Sequence, residues 1–472
     1  MLRVGLLGLG LEAYWTQFAG LRERLVAYLG EVERKTSARS RTIVNLGLLD
    51  SVERSVEVAH TCRTEDVDIL LVYVTTYTLS SVLLPVLRRN KVPVILLNLQ
   101  PASAIDYVAF NQLTDRVAMT GEWLAHCSAC AVPEITNVMT RLGMKFEQVT
   151  GVLHDDPACW NEIEEWLRAA EVVHALEHTW LGLMGHYYSG MLDIATDLLQ
   201  VSARFGMNIE MLEVDELSAL RRDVSELSTQ KKVDDFRTFF DVDPDCTEFE
   251  LTRAASTAVA LERMAAERSL GAMAYYYKGI GITENLDTMS SIILATSLLT
   301  AQGIPVAGEY EVKNAIAMKI MDLLDAGGSF TEYYAMDFRA DLVLMGHDGP
   351  GHPGIASGKL KVRPLQVYHG KVGNGLSVEM SVKHGPVTLL SIMEDREHGF
   401  KLLVAEGESV PGEILKIGNT NSFYRFSLGA RGFVEQWNSH GPAHHCAIGT
   451  GHISNQLAKL ASLLGLPIVR VC

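Results

Sequence analysis

Hydrophobic and polar positions alternate along the first half of the chain in a way that predicts strands separated by helices. Leu2–Leu9 is a short apolar run that reads as a strand buried on both faces. Residues 13–28 follow with Phe18, Leu21, Leu25 and Tyr28 at helical spacing. Residues 42–49 and 69–75 read as further strands, 79–89 as a helix and 93–99 as another strand. Strands that are apolar throughout and separated by helices imply a parallel sheet covered on both faces.

The pattern continues with a helix over residues 162–178 and a short apolar run over 180–184. Residues 192–205, 215–224 and 252–267 read as helices, and 271–277 and 304–307 as strands. Over 312–324, Val312, Ile316, Ile320, Leu323 and Leu324 line one helical face. Gly327 and Gly328 are placed to end that helix with a left-handed cap. Beyond them the texture changes. Runs at 330–338, 342–344, 365–371, 376–382, 386–393 and 401–405 read as strands, and no long helix is predicted before 453–464. The expected fold class is α/β: two sheet-and-helix domains, flavodoxin/Rossmann-like, over residues 1–177 and 178–326, then a β-rich, barrel-like domain over 327–472.

Composition narrows the function classes. With 472 residues, 48% hydrophobic and 21% charged, the chain has ample material for buried cores. A formal net charge of -16 argues against a nucleic-acid partner. The seven cysteines are odd in number and scattered, which is a reduced, intracellular pattern rather than a disulfide framework. The apolar N-terminus carries one Arg and no small-residue cleavage site, so it makes a poor signal peptide. No apolar run reaches the roughly 18 residues of a membrane span. A cytoplasmic protein with no membrane and no nucleic-acid partner is expected.

Several motifs compete for attention. Gly8-Leu9-Gly10-Leu11-Glu12-Ala13 follows a strand and matches G-x-G-x-x-A, the turn that lets a pyrophosphate approach a helix N-terminus. That keeps an NAD(P)-dependent oxidoreductase as an alternative. The acid that should close the second strand, Asp50, lies well beyond the usual separation of about 20 residues, so a tight strand-to-helix turn is the better reading. Cys127-Ser128-Ala129-Cys130 lacks the second pair that a zinc site needs, and reads as two buried, unreactive thiols. Asp241 to Asp245 resembles the start of a calcium loop, but Cys246 stands where Gly is required and Thr252 where Glu is required. His154-Asp155-Asp156 reads as a loop and helix cap.

Residues 308–347 carry the clearest chemistry. Two carboxylates, Glu309 and Glu332, and one imidazole, His347, each stand beside the end of a predicted strand or helix. Hard divalent cations such as Mn²⁺ accept carboxylate oxygens with imidazole nitrogen, and two carboxylates at one centre also offer an acid/base pair. His440, His444, His445 and His452 crowd the C-terminal end among glycines. Adjacent rings usually diverge, so at most one of His444 and His445 is expected in a given site.

The run Gly308-Glu309, a helix, Gly-Gly-Ser-Phe-x-Glu332-x-Tyr, Asp341-Leu-Val-Leu-x-Gly-His347 and Gly441-Pro-Ala-His444-His445 resembles the L-arabinose isomerase family in order and spacing. The resemblance implies a metal-dependent aldose–ketose isomerase, with L-arabinose to L-ribulose as the family reaction and D-galactose to D-tagatose as a natural side reaction. It implies one Mn²⁺, or another divalent cation such as Co²⁺ or Mg²⁺, held by Glu309, Glu332, His347 and His445. The two glutamates then double as the acid/base pair. It further implies a sugar substrate, pocket residues Met191, Tyr276 and Ile355, and a homo-oligomer, hexameric in the family. In that assembly His126 reaches the sugar from a neighbouring subunit. An isomerase of the L-fucose/D-arabinose type is the nearest alternative, although its metal set resembles Glu, Asp and His.

The chain departs from the family pattern in two segments. Gly10-Leu-Glu-Ala-Tyr14-Trp15 stands where the family has Ser-Gln-His-Leu-Tyr-Gly, and Tyr310-Glu311-Val312 stands where it has Gly-Asp-Trp. Glu311 keeps an acid at the Asp position. The metal chemistry is therefore better specified than the sugar.

Overall fold

The apolar runs of the first half form one parallel sheet. In the computed structural model, which describes residues 1–279, 281–365, 374–397 and 399–472, the chain divides into two units, Met1–His174 and Ala175–Cys472. The first unit runs β1 (Leu2–Leu9), α1 (Leu21–Thr36), β2 (Arg41–Leu49), α2 (Val52–Thr64), β3 (Ile69–Val74), α3 (Ser80–Arg89) and β4 (Val94–Gln100). Three shorter helices follow, α4 (Tyr107–Asn111), α5 (Arg116–Leu124) and α6 (Val132–Arg141), then β5 (Glu147–Val152) and α7 (Pro157–Glu177), which ends three residues past the division. The strand order β2-β1-β3-β4-β5, all parallel, is the flavodoxin-like order. Every residue of β3 is buried, as a strand covered by helices on both faces requires.

The glycine turn after β1 does not lead directly into a helix. Only a single turn of 3-10 helix spans Glu12–Tyr14, and α1 begins at Leu21, later than the helix expected over 13–28. Trp15 lies over Gly10, where an added Cβ would come within 2.9 Å of the indole, and its Nε1–H donates to Asp50 at 2.8 Å. The acid of the dinucleotide fingerprint is thus occupied, and no helix N-terminus opens at the turn. Asp156 accepts from the backbone N–H groups of Val152 and Cys159, as a cap of α7 should. Cys127 and Cys130 differ from the expectation of free thiols: the turn after α5 brings their Cα atoms to 5.9 Å and they form a disulfide.

The second unit opens with another parallel α/β layer. Its elements are β6 (Trp180–Gly185), α8 (Leu198–Phe205), β7 (Asn208–Leu212), α9 (Val214–Arg222), α10 (Glu226–Phe239), β8 (Asp241–Val242), α11 (Glu248–Glu267), β9 (Leu270–Tyr276), α12 (Thr283–Ser290), α13 (Ile293–Ala301), β10 (Val306–Ala307) and α14 (Val312–Leu323). Strands β10-β9-β6-β7 make a four-stranded parallel sheet. The helix expected over 192–205 is confined to 198–205, because Asp197 caps it by accepting from the N–H groups of Leu199 and Gln200.

The remainder is β-rich: β11 (Gly327–Asp337), β12 (Leu342–His347), β13 (Lys361–Leu365), β14 (Gly375–Glu379), β15 (Gly385–Asp395), β16 (Gly399–Val410), β17 (Thr420–Phe426), α15 (Gly429–Ser439), β18 (His445–Thr450), α16 (Ser454–Leu464) and β19 (Ile468–Arg470). The order β15-β18-β11-β12-β17-β16 closes on itself through the β15–β16 pairing, giving an antiparallel barrel with β19 added in parallel on β16. Closure removes free edges. The left-handed residue after α14 is Asp325, with φ 60°, while Gly327 and Gly328 begin β11 rather than capping the helix. Helix α15 was not expected; Ala430, Phe433 and Trp437 give it a buried face, and Phe433 stacks on Phe426 at 3.6 Å. The strand expected over 365–371 falls, from residue 366 on, outside the described residues. Among the described residues, no helix is long and apolar enough to cross a membrane.

Candidate active site

Three neighbouring barrel strands, β18, β11 and β12, bring the sequence-distant polar residues together. Antiparallel pairing sets Glu332 on β11 directly opposite His445, the first residue of β18, and opposite Gly346 on β12. Partners across an antiparallel pair share a face, so Glu332 and His445 point the same way. Gly346 leaves the Thr420 carbonyl so close that an added Cβ would lie 1.8 Å from it. His347 ends β12 beside that glycine, held by Thr420, whose hydroxyl accepts from the His347 N–H and donates to its carbonyl, both at 3.0 Å.

Glu309 arrives from the α/β layer. It and Tyr310 are both left-handed, with φ of 56° and 63°, a costly conformation for two consecutive non-glycine residues and one typical of functional sites. Neighbouring groups hold the turn: the Tyr310 N–H donates to the Tyr275 carbonyl, the Glu311 N–H to that of Gly308, and the Tyr310 ring packs edge-on against Tyr187 at 4.8 Å.

Ligand atoms of Glu309, His347 and His445 lie within 4.8 Å of one another, and so do those of Glu332, His444 and His445. Glu309 Oε2 is 3.3 Å from His445 Nε2. Glu309 Oε2 and both ring nitrogens of His445 are buried and make no hydrogen bond to any described residue. Such unsatisfied oxygen and nitrogen atoms, in this donor set, fit a divalent cation. His347 Nδ1 donates to the Asp348 carbonyl, which fixes the ring's tautomer and leaves Nε2 as the open nitrogen. Phe330 packs against both rings, 4.4 Å from each.

Electrostatics suit the same use. Burial pushes the His347 imidazole down to about 3, so it is neutral. Burial also disfavours charge on His445, but Glu309 and Glu311 outweigh it and lift that imidazole to about 9. Burial raises the Glu309 carboxyl, yet the imidazoles of His445, His347 and His444 together hold it below its ordinary range.

The cluster opens into a cavity of about 620 Å³ lined by Glu309, Glu332 and His347 together with Met191, Tyr188 and Tyr334. The Tyr334 hydroxyl accepts from Asn419 Nδ2 at 2.8 Å. Of the residues expected to meet the sugar, Met191 lines this cavity. Tyr276 is buried behind it, packed on Tyr188 at 4.6 Å, while Tyr275 and Tyr277 reach the lining. Ile355 is in the apolar core and is not among the lining residues. His126 belongs to the first unit, where its Nδ1 lies 3.1 Å from the Glu122 carbonyl.

Both histidines of the pair stand at the cluster, where only one was expected. Their rings lie 3.8 Å apart, and His444 Nε2 comes within 3.8 Å of Glu309. The His444 ring is turned there by Asp193, which takes both its backbone N–H and its Nδ1, at 3.0 and 2.6 Å. The Asp193 segment is in turn pinned by Lys313, whose buried ammonium donates to the carbonyls of Asp193 and Ala195 at 2.8 and 3.1 Å. Sequence reading missed Asp193 and Lys313. A lysine in the first turn of a largely apolar helix was the signal available.

Residues 327–467 match the family model described as the L-arabinose isomerase C-terminal domain. An L-arabinose isomerase from Nocardioides sp. is 26% identical over 354 residues, 72% of this chain and 68% of that protein. One from Geobacillus thermodenitrificans is 24% identical over 343 residues, 70% of this chain and 67% of the other. One from Shewanella sp. is 24% identical over 360 residues, 73% and 70% of the two chains.

Proposed function

We propose that the chain is an aldose–ketose isomerase of the L-arabinose isomerase family and that it converts L-arabinose to L-ribulose at a divalent-metal site formed by Glu309, Glu332, His347 and His445. D-galactose, which shares the configuration of L-arabinose at C2 to C4, is the expected second substrate. The observation that carries the reading is the convergence of Glu309, His347 and His445, with Glu332 opposite His445, beside a cavity that Glu309, Glu332 and His347 line.

Isomerisation of an aldose moves one proton from C2 to C1 and another from the C2 hydroxyl to the C1 oxygen. A carboxylate over the carbon face removes the C2 proton and returns it at C1, and a second carboxylate carries the hydroxyl proton. Glu309 and Glu332 line the cavity and are the carboxylates grouped with the imidazoles, so they take these roles. A bound Mn²⁺, Co²⁺ or Mg²⁺ would supply Lewis-acid polarisation of the carbonyl and stabilise the charge that develops when the proton leaves. Met191, Tyr188 and Tyr334 orient the sugar and exclude water.

The same reading carries a homo-oligomer, with His126 reaching a neighbour's site, cytoplasmic residence, and a division into three parts at residues 177 and 326. The family resemblance supports the first two. The separate sheets of the three parts support the last.

The test is isomerisation of a panel of aldoses by the Mn²⁺-supplemented protein in D₂O. Deuterium at C1 of the ketose is the expected mark of proton transfer through an enediol. No ketose from any aldose would count against the reading.

A further inference from the structure

Glu311 is a buried acid beside the cluster that the proposed chemistry does not use. Its side chain is fully buried, and neither oxygen accepts a hydrogen bond from any described residue. It occupies the N-cap position of α14, yet its side chain caps nothing. The nearby Lys313 directs its ammonium to the carbonyls of Asp193 and Ala195 instead. A buried carboxylate without a donor is costly and calls for a reason.

The group it faces is His445. Glu311 lies 3.5 Å from Nδ1 of that ring, while Glu309 lies 3.3 Å from Nε2. Two consecutive left-handed residues turn the chain so that acids two positions apart meet opposite edges of one imidazole. One turn further along α14, Asn314 donates to the carbonyl of Cys446 at 3.3 Å, which sets the helix against β18 at the residue after His445. Glu311 is not among the residues that line the cavity.

Resting on the reading of His445 as a metal-holding residue, we propose that Glu311 is its positioning residue: the carboxylate accepts a hydrogen bond from Nδ1–H, fixes the tautomer and aims the Nε2 lone pair into the site. His347 obtains the same service from a backbone carbonyl, that of Asp348. The two imidazoles are thus fixed by different devices, one neutral and one charged. Carboxylates and carbonyls behind ligating histidines orient the ring and raise its basicity.

Calorimetric titration of Mn²⁺ into the metal-free wild type, Glu311→Gln and Glu311→Asp tests this. Glu311→Gln keeps the shape and removes the charge, and is expected to bind Mn²⁺ about 10–100-fold more weakly. Glu311→Asp keeps the charge and should retain binding within about tenfold of wild type. Wild-type affinity in Glu311→Gln, or an equal loss in Glu311→Asp, overturns the proposal. Should Glu311→Gln fail to fold, a Mn²⁺-loaded crystal of the wild type decides. A Glu311 oxygen within about 3.2 Å of Nδ1 supports it, and a flipped ring or a carboxylate turned away overturns it. A wild type that takes up no Mn²⁺ removes the site reading itself, a failure distinct from failure of Glu311's role.

Discussion

Glu332 and His445 are Cα partners across β11 and β18, although 113 residues separate them in sequence. The barrel's pairing register therefore makes the site: a shift of one residue would turn one of the two side chains to the opposite face. The isomerase reading depends on this register and on the left-handed turn that delivers Glu309.

Replacing either carboxylate by its amide removes a proton carrier with little change of shape. Glu309→Gln and Glu332→Gln are each expected to lower kcat by about 10²–10⁴-fold while the protein still folds. Steady-state rates alongside circular dichroism check this. A variant that keeps more than a tenth of the wild-type rate has lost its claim to the acid/base role.

Metal uptake should release a proton. In the metal-free protein His445 titrates at about 9, held up by Glu309 and Glu311 against burial, so at pH 7 an ion must displace its proton. Calorimetry in two buffers of different ionisation enthalpy should show about one proton released per ion at pH 7, vanishing above pH 9. The sign for stability runs the other way. Because the folded value is raised above the ordinary 6.5, His445 stabilises the metal-free fold fully below pH 6.5, and that contribution is lost as pH rises through 9. A metal-free midpoint that does not fall across this window, relative to His445→Asn, would contradict the assignment.

Lys313→Met keeps an apolar stem but leaves the carbonyls of Asp193 and Ala195 without their donor. The segment beside Met191 should loosen, raising KM several-fold with kcat within a small factor of wild type. Loss of kcat at unchanged KM would place Lys313 in the chemistry instead.

Gly346→Ala forces a Cβ to within 1.8 Å of the Thr420 carbonyl, and backbone cannot swing aside as a side chain can. Separation of β12 from β17 is expected to cost about 1–3 kcal/mol or more, read as a lower thermal midpoint, with metal affinity falling because His347 is the next residue. An unchanged midpoint would show that the two strands have room to move.

Much of this was legible in the sequence. Leu2–Leu9 was read at its observed bounds because a strand buried on both faces leaves an unbroken apolar run. Glu309, Glu332, His347 and His445 could be gathered because their order and spacing carry a family resemblance. Helix α15 was hidden by Gly429 and Gly432, which weaken a helical signal that only tertiary packing of Phe433 and Trp437 restores. Asp193 and Lys313 were missed because their partners lie more than a hundred positions away. The ring placement of His444 followed from Asp193 and so was misjudged with it. Ile355 looked like a pocket residue by position, but it packs where an added Cβ on Gly327 would fall, and that packing appears only once β11 is folded.

The central claim is that one divalent ion, held by Glu309, Glu332, His347 and His445, enables isomerisation of an aldose. The direct measurement is L-ribulose formation from L-arabinose by protein stripped with EDTA, followed as Mn²⁺ is restored and bound metal is counted. Activity should be absent in the stripped protein and rise in proportion to bound Mn²⁺, reaching its plateau at one ion per chain. Full activity in the stripped protein, or no activity at full metal occupancy with any aldose, would contradict it.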